Sequence, residues 1–214
     1  MIQRDLRRGL VLMCGGWALF ASFGTIVHAY PSVGAFRNTY YMLGLESDYP
    51  HTNKSVAVLD MAGNPIAHVS AEFKKKLDLE GSGKLISGVV LNFQGRVNGQ
   101  IRYEISKFEF GRGVGQCALD PFHTIAVDPQ AIPLGSVVQI DETVGMVLPD
   151  GSKHNGLWKA EDIGGAIQKD RIDLFVGEGD QGWVLDQAKI THLQALKVKL
   201  VSGPATHSCV DEAP

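Results

Sequence analysis

Three aspartates, Asp128, Asp162 and Asp173, are the residues of this chain best suited to acid–base chemistry. Asp162 stands in AEDIGGAIQKDRIDLFVG, directly ahead of Gly164 and Gly165 and between two apolar runs. Adjacent glycines let the backbone turn sharply and come close to a ligand, so an aspartate there projects beside no bulky turn neighbour. Asp173 lies inside the apolar run IDLFV, where a carboxylate is costly unless paired or hydrogen-bonded. Asp128 closes the apolar run TIAV just before Pro129. A carboxyl group held protonated near neutral pH can give its proton to a leaving oxygen and, as carboxylate, accept one back. Each residue also has a structural account: Asp128-Pro129 starts a turn, Asp162 caps one, and Asp173 pairs with Arg171 or points outward. Residue chemistry alone leaves both accounts open.

Other chemistries find less support. Gly177, Gly179 and Gly182 spell G-x-G-x-x-G after an apolar run. Only one further strand can follow before the chain ends, too little for a doubly wound sheet, so they read as turn glycines and no cofactor is expected. The seven histidines show no H-x-H or H-E-x-x-H spacing, so no metal site is expected. No G-x-S-x-G elbow is present, and Lys74 to Lys76 read as a solvated face.

The elements that must position the aspartates are mostly strands. Of 214 residues 44% are hydrophobic and only 20% charged, with 25 glycines and a net charge of −3, which suits a globular domain and excludes a disordered or collagen-like chain. Lys plus Arg does not exceed Asp plus Glu, so nucleic acid is not an expected partner. In QIRYEI, Ile101, Tyr103 and Ile105 alternate with Arg102 and Glu104, and Phe108 and Phe110 follow out of register, which suggests a bulge near Ser106. Leu196, Val198 and Leu200 alternate with lysines. Further strands are expected over 56–59, 85–93, 124–127, 137–140, 157–160 and 172–176, separated by turns at 62–65, 81–83, 133–135 and 149–151. Helical periodicity is credible only over 183–193. Many short strands with regular turns predict a mainly β chain forming a closed barrel or sandwich.

Residues 1–29 read as an export signal: Arg4, Arg7 and Arg8 precede an apolar run from Leu10 to Val27, and Val27-His28-Ala29 offers a cleavage site. The rival reading is a retained membrane anchor, weakened by Gly15, Gly16, Ser22, Gly24 and Thr25. Cleavage would leave residues 30–214 without a stable membrane span, in the periplasm or cell envelope. Export also permits a disulfide between the two remaining cysteines, Cys117 and Cys209, with two free thiols as the alternative.

FRNTYYML (36–43), LDLEGSGKLISGVVLNFQGR (77–96), TIAVDPQAIPLGSVVQI (124–140) and LPDGSKHNGLWKAEDIGGAIQKDRIDLFVG (148–177) resemble the 3D domain, a family named for three aspartates that match Asp128, Asp162 and Asp173. The resemblance runs from about residue 33 to 201. It implies a six-stranded double-psi β-barrel like the catalytic barrel of membrane-bound lytic transglycosylase A, with a small β-rich insertion over about 45–110. It also implies activity on peptidoglycan glycan strands: cleavage of the β-1,4 link between N-acetylmuramic acid and N-acetylglucosamine without water. Asp162 is then the single acid and base, Asp128 and Asp173 support it, and Gly164 and Gly165 form the site backbone. Asp162 must begin protonated, so its pKa is expected to be raised by burial or by Asp173 and Asp128 as neighbouring like charges. The sequence departs from the family where Gln168-Lys169 replaces Lys-Gly, and where His123 stands in place of a frequent Arg. A non-catalytic wall-binding barrel and a two-carboxylate hydrolase are the alternative functions. Tyr40, Tyr41, Phe93 and Trp158 could stack on sugars, although core packing is the simpler expectation for each.

Overall fold

A computed structural model describes residues 32–50, 53–206 and 208–213, and the export segment expected over 1–29 lies outside them. Eleven strands and two α-helices make up just under half of the described chain. The long first strand, β1 (Ser32–Leu45), is central to everything that follows. It pairs in parallel with β10 (Arg171–Glu178) and antiparallel with β11 (Ala195–Ser202). From there β11 pairs with β8 (Val137–Ile140), β8 with β9 (Leu157–Asp162), β9 with β7 (Thr124–Val127), and β7 with β10. The hydrogen-bond order of these six strands therefore returns to its start.

Period-two alternation explains what the six strands enclose. Phe36 and Met42 of β1, Ile125 and Val127 of β7, Val138 and Ile140 of β8, Trp158 and Ala160 of β9, Ile172 and Leu174 of β10, and Leu196 and Val198 of β11 meet in one core. Most are fully buried, and each side chain of this size contributes about 1.5–3 kcal/mol when removed from water. Trp158 belongs here, not at a sugar surface: its indole nitrogen donates to Thr143 Oγ1 at 3.0 Å inside the core.

Between β1 and residue 106 the chain builds a second group of elements. The hairpin β2 (Val56–Leu59) and β3 (Pro65–Val69) stands apart from the main sheet. Helix α1 (Ala71–Glu80) follows, then β4 (Ser82–Lys84), β5 (Val90–Val97) and β6 (Gln100–Ile105), with β4 pairing in parallel with the end of β1 at Gly44 and Leu45. Val58, Val69, Phe73, Leu77, Leu91 and Tyr103 give this segment its own apolar core.

Five expectations need correction. Helix α1 was hidden because only Phe73 and Leu77 face the core, too few for a clear period. Its ends are well signalled: Ser70 Oγ accepts from the Phe73 N–H at 3.2 Å, and Gly81, at φ +80°, donates its N–H to the Leu77 carbonyl. Within it Lys74 and Lys76 are not free solvated charges, since they pair with Asp78 and Glu80 one turn on. The strand expected over 85–93 is divided, because Leu85 to Gly88 form a turn closed by Gly88 N–H to Leu85 O at 2.8 Å. Near Ser106 there is no bulge: β6 ends at Ile105, and Ser106 Oγ accepts from the Phe108 N–H at 3.0 Å in a turn. The last helix, α2, covers only Trp183–Gln187, after which Lys189 and Leu193 both take φ +60° and break the periodicity.

Candidate active site

The outer face of β7, β9 and β10 carries the acid chemistry, and β-sheet register explains why. Asp173 of β10 is paired with Ala126 of β7, and Ala126 is also paired with Asp162 of β9. Two carboxylates thus flank one small side chain, with Cα atoms roughly 9–10 Å apart from the spacing of three adjacent strands. Ala126 leaves the space between them uncrowded, while Ile125 and Val127 point into the opposite core.

Asp162 reaches this face only through a break in the pleat. Trp158 and Ala160 face the inner core, and strict alternation would send Asp162 after them. Ile125 pairs with Ala160 but Ala126 pairs with Asp162, so Glu161 is an extra residue and β9 bulges. A bulge of this kind re-aims the next side chain, here Asp162, to the other face. The loop 111–118 holds the bulge in place. Val114 donates its N–H to the Glu161 carbonyl at 2.9 Å, and a Cβ on Gly113 would lie 2.3 Å from that oxygen. That loop is tied by the Cys117–Cys209 disulfide, with Cα atoms 4.9 Å apart, to the C-terminal residues.

The Asp162 carboxyl is partly buried, and burial is the main reason its pKa is pushed up to about 6. Tyr41 of β1 donates its hydroxyl to Oδ2 at 2.7 Å and the Ile163 N–H reaches Oδ1 at 2.8 Å, both pulling the pKa down. The Asp173 charge pushes it up and the Arg112 charge opposes it. Asp173 is also raised to about 6, again chiefly by burial, against a hydrogen bond from Thr39 Oγ1 at 2.6 Å and with Glu80 raising it. Arg171 donates to the same Thr39 hydroxyl at 3.3 Å. Glu80, from the end of α1, accepts from the Met42 N–H and from Lys76.

Asp128 follows the end of β7, two residues beyond Ala126. Its carboxylate accepts from the N–H groups of Gln130 at 2.9 Å and Lys169 at 2.7 Å, which hold its pKa below the usual carboxylate range. The largest like-charge contribution to Asp162 comes from Asp173. The contact of Asp128 with Lys169 pins the turn between β9 and β10. Lys169, where the family pattern has glycine, sits in that turn at φ +58°, a conformation costly for a residue with a Cβ. Gly164 is required by packing, since a Cβ there would lie 2.7 Å from Ile167 Cγ1, whereas Gly165 faces open space. His123 stacks on His154, away from this face, and burial lowers the His154 pKa.

Of the aromatic residues considered for sugars, Tyr41 is buried and packs its ring on Phe175 with centroids 5.0 Å apart. Tyr40 and Phe93 are exposed, and Tyr40 donates to Asp180. Two surface hollows flank the molecule: one lined by Glu104, Ser106, Lys107 and Arg112, the other by Phe110, Asp120, His123, Asp150 and Glu178. Neither is lined by Asp162 or Asp173. The acid face meets the second through the Tyr41–Phe175–Phe110 ring contacts. Among the described residues, Cys117, Glu161 and Cys209 are the one group spaced to hold a metal ion, but the two sulfurs are bonded to each other and offer no thiolate.

Sequence reasoning found both acids of the face but not Thr39, Glu80, Arg112 or the hydrogen-bonding role of Tyr41. The one available signal was the alternation of Thr39 and Tyr41 on a strand that had to lie beside IDLFV.

Residues 123–192 match the family model of the 3D domain. No curated protein sequence matches the chain. Among solved structures, E. coli MltA with bound chitohexaose aligns at 15% identity over 80% of this chain and 73% of that one, with a TM-score of 0.56. A membrane-bound lytic murein transglycosylase from Agrobacterium tumefaciens aligns at 13% identity over 78% and 73%, with a TM-score of 0.55. The chain thus carries a 3D domain on an MltA-like, mainly β fold.

Proposed function

We propose that this protein is an exported lytic transglycosylase that cleaves the β-1,4 bond between N-acetylmuramic acid and N-acetylglucosamine in peptidoglycan. The observation that carries this reading is Asp162: a partly buried acid, aimed by a bulge onto the same face as Asp173, with its pKa raised to about 6. A carboxyl so placed is about one-tenth protonated at pH 7, before substrate excludes water. It gives its proton to the glycosidic oxygen as the bond to C1 breaks. As carboxylate it then takes the proton of the muramyl C6 hydroxyl, whose oxygen attacks C1 and closes a 1,6-anhydro ring. No water is consumed, so one residue serves as acid and then base. Asp173, held by Thr39, favours the proton on Asp162 through its charge.

The cyclic strand order is read as a six-stranded double-psi barrel over residues 30–214, with 45–110 as an insertion forming the other wall of the glycan cleft. Residues 1–29 direct export to the periplasm or cell envelope. Asp128 supports the site by fixing the turn after Asp162.

The test is mass spectrometry of the soluble fragments released from purified peptidoglycan by the wild type and by Asp162→Asn. Anhydromuropeptides from the wild type, falling at least about 100-fold in the variant, are expected, the usual size for loss of a general acid. Reducing muropeptides would mean hydrolysis with Asp173 as second carboxylate. Binding to sacculi without release by either protein would mean a wall-binding module.

A further inference from the structure

We propose that Tyr41 is the positioning residue that lets a single carboxyl, Asp162, work as both acid and base. The inference rests on the reading of Asp162 given above and goes further, by assigning a partner to each half of the cycle.

Tyr41 cannot turn away from the acid. Its side chain is 8% exposed, its ring is held against Phe175, and its hydroxyl donates to Asp162 Oδ2 at 2.7 Å. The other oxygen, Oδ1, takes the Ile163 N–H at 2.8 Å. With one bond from the protein on each oxygen, the plane of the carboxyl is fixed, and each oxygen keeps a lone-pair direction for the proton in transit. The two donors differ in kind. The Ile163 N–H can only donate, whereas a phenolic hydroxyl can donate or accept, so Tyr41 stays satisfied in both protonation states of the acid.

The hydrogen bond from Tyr41 strengthens when Asp162 becomes charged, because a donor binds a carboxylate more tightly than a carboxylic acid. It therefore stabilises the base half of the cycle against the burial that favours the acid half. Burial also holds the Tyr41 phenol far above its ordinary pKa, so it remains a donor at every relevant pH. The other charges facing the pair are Asp173 from β10, Arg112 from the 111–118 loop and, toward Tyr41, Glu80 from α1. None of them is removed with the hydroxyl.

The experiment compares the wild type with Tyr41→Phe, which keeps the ring on Phe175. The Asp162 carboxyl is titrated by carbon-13 NMR, its signal assigned with Asp162→Asn, and the pH profile of anhydromuropeptide release is measured alongside. Losing a charge-assisted bond is expected to move the Asp162 titration up by about one pH unit. The alkaline limb of the rate profile should move with it while the maximal rate falls. Phe175→Leu, which loosens the ring but keeps the hydroxyl, is expected to lower the rate without moving the limb. An unchanged Asp162 titration in Tyr41→Phe would overturn the proposal and leave Tyr41 as packing. If the wild type released no anhydromuropeptides, the transglycosylase reading would fall, and the titration would still report the bond by itself.

Discussion

The segment from β2 to β6 and the six-strand ring obey local rules to very different degrees. In the segment nearly every turn and cap is what its residues favour. Ser70 and Gly81 cap α1, Asn98 and Gly99 take φ +51° and +79° in the tight hairpin between β5 and β6, and Lys74–Asp78 and Lys76–Glu80 sit one helical turn apart. The ring departs from regular register at several points, between Tyr41 and Leu43 and between Ser32 and Gly34 of β1 and near the end of β11, and again at β9. There it breaks the pleat with an extra residue, buries two carboxylates on one face and places Lys169 at a positive φ. Some of this conflict, the β9 bulge and Lys169, lies where the proposed chemistry is, as expected when a site is held by its surroundings rather than by its own preferences.

The largest effects should separate the two regions. Leu174→Ala in the ring and Leu77→Ala in the segment each remove a fully buried side chain, at a cost of about 2–5 kcal/mol. Native-state hydrogen exchange should show Leu174→Ala lowering protection throughout, and Leu77→Ala lowering it chiefly over residues 53–105. Uniform loss in both variants would break the distinction.

A smaller effect, of opposite sign, concerns the buried acids. Asp162 and Asp173 bind protons more tightly when folded, since their pKa values rise to about 6 from the ordinary aspartate value of 3.8. Between about pH 4 and pH 6 the folded state therefore holds more protons than the unfolded state, so stability falls as pH rises through that window and stays low above it. At pH 7, Asp162→Asn should be more stable than the wild type by about 1–2 kcal/mol, and at pH 4 that advantage should vanish. Urea titrations at the two pH values measure it. An Asn variant less stable at pH 7 would mean that the site carries no such cost.

The smallest expected change sharpens the comparison at one residue. Lys169→Gly should stabilise the turn between β9 and β10 by up to about 1 kcal/mol, since glycine takes φ +58° without a Cβ clash. Thermal unfolding reads it, with Lys169→Ala as the control that keeps the Cβ and should gain nothing.

Much of this was legible in the chain. The strands at 56–59, 124–127 and 137–140 were delimited to the residue, because alternation and flanking Gly, Pro and Asp are local signals. The acidic character of Asp162 and Asp173 followed from carboxylates set among apolar residues and glycines. The sequence could not show that Asp128 would bond to the Lys169 N–H, because that depends on where two turns meet. Nor could it show the outward aim of Asp162, since period two sends residue 162 inward with Trp158 and Ala160. Only pairing with β7, and the grip of Val114 on the Glu161 carbonyl, decide that a residue is skipped. Composition and periodicity determined which residues would form strands and which acids would be costly to bury. Register, a property of two strands at once, decided which of those acids share a face and what holds them there.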